Sequence, residues 1–140
     1  MNLEGYEYFD VAADVGVRAW AEDLEGCLRQ CALGVFNLIV PTDAVEAVES
    51  REVSARGASI EALLVNWLNE CLYVHDIEGF VVRDVTRPAL TASTVHAILR
   101  GEPVDPARHP RGTLVKAATF HSLEVQQTAD GVTARVILDI

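Results

Sequence analysis

Lysine occurs once in the 140-residue sequence, at Lys116, and lysine and arginine together number 11 against 21 aspartates and glutamates. The formal charge of −10, with only 11 lysines and arginines, argues against the basic patch that neutralising a phosphate backbone needs, so direct nucleic-acid binding is not expected. An acidic surface suits a cation or a basic protein partner, and any RNA involved would have to be held by another protein. Cysteine is scarce as well, with Cys27, Cys31 and Cys71 only, which excludes a disulfide framework. Cys27 and Cys31 share an apolar helix face with no C-x-x-C and no nearby histidine, so they read as buried small hydrophobes and not as a metal pair. Charges interrupt every apolar run well short of bilayer length, and no basic-then-apolar leader opens the chain. A cytoplasmic protein with no membrane partner is therefore the expectation. There is no Walker loop, no G-x-S-x-G and no H-E-x-x-H, and with them go the commonest phosphate-binding, serine-hydrolase and zinc-protease chemistries.

What is present reads as one domain over residues 1–140. Half of the residues are hydrophobic and 23% are charged, a globular balance at a length that buries roughly two-thirds of the unfolded surface. Asp23 is a candidate N-cap, and Leu24, Cys27, Leu28, Cys31, Ala32, Val35, Phe36 and Ile39 follow the helical template until Pro41 stops it. Val45 to Arg56 reads as an extended, highly charged strand near a sheet edge. Ser59 caps a second helix whose apolar positions run from Ile60 to Leu72 at the same spacing, and Gly79 ends it. Beyond it the pattern is β: Phe80 to Val85, Leu90 to Leu99, and Leu114 to Val125 as a strand or a bent pair. The loop from Glu102 to Gly112 separates the last two. Asp130-Gly131 marks a hairpin, after which Val132, Ala134, Val136 and Leu138 alternate. The fold class is α+β, with two amphipathic helices packed on a largely antiparallel β-sheet.

The most patterned stretch is Tyr6 to Trp20. It alternates on both sides of Ala12-Ala13-Asp14, where no side chain is large enough to demand burial, so a kink or tight link is expected there. Asp14 beside Gly16 places a carboxylate at a strand junction where a backbone can come close to another group. Turn-type aspartates occupy such positions too. This stretch resembles the opening of the archease family, whose signature reads tyrosine or phenylalanine, then D-H-T-A-D-[IV]-G. The likeness continues through Leu64 to Tyr73, Gly101 to His109 and Val115 to Val125, and ends on Leu138-Asp139-Ile140, in order and without large insertions. Val11 and Ala12 depart from it, standing where the family has His-Thr.

Asp139 follows the last alternating strand and Ile140 is the final residue of the sequence, so two carboxylates lie one residue apart. Asp14, Asp139 and the Ile140 α-carboxylate form a set of hard oxygen ligands that repel one another unless a cation joins them. Nothing in the residues alone makes the two regions neighbours. The resemblance does: in archeases the matching positions bind a divalent ion, taken to be calcium. Lys116 by itself reads as a solvated strand lysine, whereas the matching V-K-A-x-T block of archeases carries a functionally important lysine, followed here by Thr119 and His121. Asp105, His109 and His121 supply acid–base residue types without a spacing that sets their geometry, and His121 reads as a partly buried strand residue. The resemblance implies an activator and not an enzyme. Its partner would be an RtcB-type RNA ligase, which joins tRNA-splicing ends using GTP and manganese; the protein would promote guanylylation and multiple turnover of that ligase. Two other classes fit the residues, a general chaperone-like interaction module and a metal-dependent hydrolase.

Overall fold

The computed structural model describes residues 3–140. The chain opens with β1 (Gly5–Val11) and β2 (Asp14–Ala21), an antiparallel hairpin closed by Ala12 and Ala13. α1 (Leu24–Ile39) starts where the Asp23 side chain accepts a hydrogen bond from Gly26 N at 2.9 Å, so a capping carboxylate sits at the positive end of the helix dipole. A 3-10 turn at Thr42–Ala44 follows, then β3 (Glu49–Arg56). α2 (Ile60–Glu78) is capped by Ser59, which accepts from Ala62 N, and ends at Gly79 in the left-handed conformation (φ 61°) that glycine adopts without steric cost. β4 (Phe80–Val85), β5 (Ala89–Leu90), β6 (Thr94–Pro103), β7 (Ala117–Ala118), β8 (Glu124–Thr128) and β9 (Gly131–Asp139) complete the order.

The strands build two sheets, both wholly antiparallel. The first runs β1-β2-β9-β7 with β8 also on β9; the second runs β3-β6-β4 with β5 also on β6. α1 lies chiefly on the first sheet and α2 on the second, each touching the other. Val17, Ala19, Val136 and Leu138 are the inward set of β2 and β9, and they meet Leu28, Cys31, Val35 and Trp67 of the helices in one core. Trp67 is fully buried and its indole N–H donates to Leu28 O at 3.0 Å, so the largest core side chain also satisfies its polar atom while joining the helices. The inward faces of both sheets are therefore covered. Among the described residues, no helix lies on the opposite face of the five-stranded sheet.

The α+β expectation of two helices on antiparallel strands holds, with the strands divided between two sheets. Several boundaries differ. β3 begins at Glu49 because Pro41 to Val48 is taken up by the 3-10 turn and a loop. The run expected from Leu90 to Leu99 breaks at Thr91 to Ser93, where the Thr91 hydroxyl accepts from the Ser93 and Thr94 amides, and the strand resumes through Pro103. Leu114 to Val125 is mostly loop: only Ala117–Ala118 pairs with β9 before a turn at His121 and Ser122 (φ 49°) leads into β8.

Candidate metal centre

The strand register brings the carboxylate positions together. Asp14 is the first residue of β2 and faces Val11 across the hairpin. Val15 pairs with Leu138, so the next step of the same ladder sets Asp14 abreast of Asp139, the last residue of β9. On the other side of β9, Ala117 pairs with Asp139, and the Lys116 amide donates to the Asp139 carbonyl at 2.8 Å, which sets Lys116 abreast of Ile140. Asp14, Asp139, Ile140 and Lys116 thus share one end of the five-stranded sheet, on three strands that neighbour one another. Alternation puts Asp14 and Asp139 on the helix-free face and turns the Ile140 side chain inward, where it packs against the core. Asp139 and Lys116 are exposed and Asp14 is half-buried.

These donors are all oxygens, and they fit a hard divalent cation in charge and type. Among the described residues, no group of three or more His, Cys, Asp and Glu side chains lies close enough to hold a metal. The corner therefore supplies two side-chain carboxylates, with the backbone of Ile140 directly after Asp139. The expected kink at Ala12-Ala13-Asp14 is a two-residue hairpin turn in which Ala12 takes the left-handed conformation (φ 48°). Val11, in place of the family's histidine, sits across from Asp14 and brings methyl groups where an imidazole would stand. Gly16 serves a packing need: a Cβ there would lie 2.0 Å from the Phe9 ring, which rests over this glycine.

β7, which directly follows Lys116, is held at its outer edge by a side chain. Asn69 of α2 accepts from Ala118 N at 2.8 Å and donates to Ala118 O at 3.2 Å, standing in for a neighbouring strand. Thr119 continues the strand's attachment to β9, its hydroxyl donating to Ile137 O at 2.9 Å. His121 is an exposed turn residue, contrary to the expected partly buried strand position, and its amide donates to the Thr119 hydroxyl.

Asp105 and His109 belong to a different cluster, which the sequence reading did not anticipate. His109 is fully buried; its Nδ1 accepts from Asp105 N at 2.8 Å and its Nε2 donates to Glu102 Oε2 at 3.0 Å. With both ring nitrogens engaged inside the protein, His109 ties Glu102 to the Asp105 backbone and orders the loop. Glu102 also accepts from the Arg108 guanidinium and from Glu46 N at 2.7 Å. Arg108 above all, then the Glu46 amide, and finally His109 after the opposing effect of burial, hold its carboxyl down to about 2. The signal in the sequence was an outward-facing glutamate followed six and seven residues later by arginine and histidine.

The comparisons with known proteins agree on one family and fold. The model of the archease protein family matches residues 6–140. "Protein archease" of Pyrococcus abyssi is 35% identical over 132 residues, covering 92% of this chain and 93% of that one. The solution structure of Methanobacterium thermoautotrophicum protein 1598 superposes with a TM-score of 0.83 at 34% identity, over 97% of this chain and 99% of that one. The crystal structure of a Thermotoga maritima archease, described as a possible chaperone, shares the fold at a TM-score of 0.63 and 16% identity, over 96% of each chain.

Proposed function

This chain belongs to the archease family, and on that premise we propose that it is a metal-binding protein cofactor of an RtcB-type RNA ligase, promoting guanylylation and repeated turnover of the ligase in tRNA splicing or RNA repair. The observation that carries this reading is the register that sets Asp14, Asp139 and Ile140 at one sheet corner with Lys116 beside them. A bound divalent ion, calcium by the family likeness, would relieve the mutual repulsion of the carboxylates. The chain's own part is to hold those groups on rigid strand ends and to present Lys116 at the same edge. An exposed ammonium there is placed to meet an anionic group of the ligase, while His121 stands exposed on the turn beyond. The acidic balance supports a role in which the ligase, and not this protein, grips RNA.

Multiple-turnover ligation by an RtcB-type ligase, measured with and without this protein and with chelator, tests the reading. The expected result is a single round of ligation without the protein and sustained turnover with it, reduced by chelation. A second reading, a chaperone-like module, is supported by the description of the Thermotoga maritima relative. It predicts that unrelated clients are protected from aggregation and that chelator has no effect. The hydrolase reading has less support, because His109 is committed to Glu102 and Asp105 N. It would require turnover by the protein alone.

A further inference from the structure

The helix-free face of the five-stranded sheet has a second charged feature, distant from the carboxylate corner. Strand pairing places Glu7, Arg18, Arg135 and Glu124 in one row across β1, β2, β9 and β8, each opposite the next. Two arginines directly opposite each other repel, and such a pair persists only where something offsets it. Glu7 meets Arg18 at 3.2 Å, and the Arg18 guanidinium also lies 5.4 Å from the Trp20 ring centroid. Glu124 does not do the same for Arg135: among the described residues no carboxylate lies within ion-pair distance of it. The Arg135 guanidinium instead stacks 4.3 Å above the Phe9 ring, which can lie across β2 because Gly16 has no side chain. Stacking occupies the flat face of a guanidinium and leaves its N–H edge available. Between the two arginines is a hollow of about 140 Å³, lined also by Glu124, Gln126 and Thr133.

We propose that this hollow is a docking site for an acidic segment of a protein partner, with a carboxylate received between Arg18 and Arg135. Two planar donor forks held by aromatic rings are matched to carboxylate oxygens and lose little freedom on binding. Gln126 and Thr133 add neutral polar groups at the rim. The row's two ends decide the class of partner. Glu7 and Glu124 flank the arginines, so the site accepts an isolated negative group and repels a strand with a charge at every phosphate, as does the net charge of −10. Arg18 and Arg135 each lie four residues along their strands from Asp14 and Asp139, about 13 Å away on the same face. A partner engaging the carboxylate corner would therefore lie abreast of the hollow, although the hollow's own chemistry does not depend on the ligase reading.

The test follows the arginine Nε–H resonances of the isotope-labelled protein at low salt, without metal or ligase. The titrant is an end-capped glycine–serine peptide carrying two adjacent glutamates. Saturable shifts of Arg18 and Arg135 are expected, weakened about tenfold or more in Arg135→Gln, whose unchanged melting temperature would show that the fold is kept. The same peptide with glutamines in place of the glutamates should leave both resonances unmoved. No saturable shift, or an equal response to the glutamine peptide, would overturn the proposal. Tighter binding of a short oligouridylate or of inorganic phosphate would also overturn it, by reassigning the hollow to phosphate groups. Because neither ligase nor calcium is in the sample, a negative result here leaves the proposed function standing, and failed ligase activation leaves this site standing.

Discussion

Glu102 occupies an outward position of β6, in line with the exposed His96 and Arg100, yet it is buried because the loop after Pro103 folds back over it. Its folded pKa is depressed from 4.5 to about 2, so the stabilisation that its charge provides is complete above pH 4.5 and is lost as pH falls toward 2. Glu102→Gln presents an amide NH₂ to groups that are all donors, namely Glu46 N, Arg108 and His109 Nε2, and should cost roughly 1–3 kcal/mol at neutral pH. Melting temperatures followed by circular dichroism should be lower in the variant at pH 7 and converge with wild type as pH approaches 2. Parallel curves would show that the cluster does not depend on charge. Ala12 offers a smaller adjustment. A left-handed alanine costs about 1–2 kcal/mol, and glycine removes that cost while adding freedom to the unfolded chain, so Ala12→Gly should stabilise by about 0.5–1 kcal/mol in a denaturant titration. Two alanines give no turn signal in a sequence, whereas Asp130-Gly131 announces its hairpin, which is why one turn was legible as such and the other only as a kink.

Both helices were readable from their ends as well as their spacing, because Asp23, Ser59 and Gly79 mark backbone requirements local to each helix. β7 was not, since its outer edge is satisfied by the Asn69 side chain from an element 49 residues away. Alternation from Leu114 to Val125 therefore promised a longer strand than the two residues that pair. This attachment makes α2 the support for the segment bearing Lys116. Asn69→Ala should leave Ala118 N and O without partners, cost roughly 1–3 kcal/mol, speed amide exchange at Ala118 and weaken ligase activation together. Lys116→Ala removes only an exposed ammonium, so stability should change by no more than about 0.5 kcal/mol and calcium binding should persist while activation falls. If Lys116→Ala activates as well as wild type, the lysine is a solvated surface residue and the edge matters for another reason.

At the scale of the whole molecule, the candidate site exists because the first hairpin and the last strand are neighbours in the sheet. That pairing joins residues more than a hundred positions apart and follows from topology, which no local pattern announces. The division of the strands into two sheets escaped the sequence reading for the same reason. No pattern in the residues themselves brings the corner together; the family likeness implied the convergence, and the strand register sets Asp14 abreast of Asp139. The sharpest consequence concerns Ile140. Its side chain is anchored against the core, so the α-carboxylate that the proposed site requires would start from a fixed place beside Asp139. Adding one or two glycines after Ile140 would carry that charge about 3–7 Å away, since each extended residue spans roughly 3.3–3.6 Å. Calcium holds its oxygens at about 2.3–2.6 Å, so a displaced carboxylate does not reach by stretching, and the amide carbonyl left behind supplies an oxygen without the charge. Asp14→Asn removes a charge from the same corner while keeping its shape. Each change should weaken calcium binding about tenfold or more, because affinity in such oxygen sites follows the number of charged ligands. Calorimetric titration of the glycine-extended protein beside Asp14→Asn separates the contributions. Equal losses would support a three-carboxylate site, and undiminished affinity in the extended protein would remove Ile140 and leave the two aspartates alone to hold the ion.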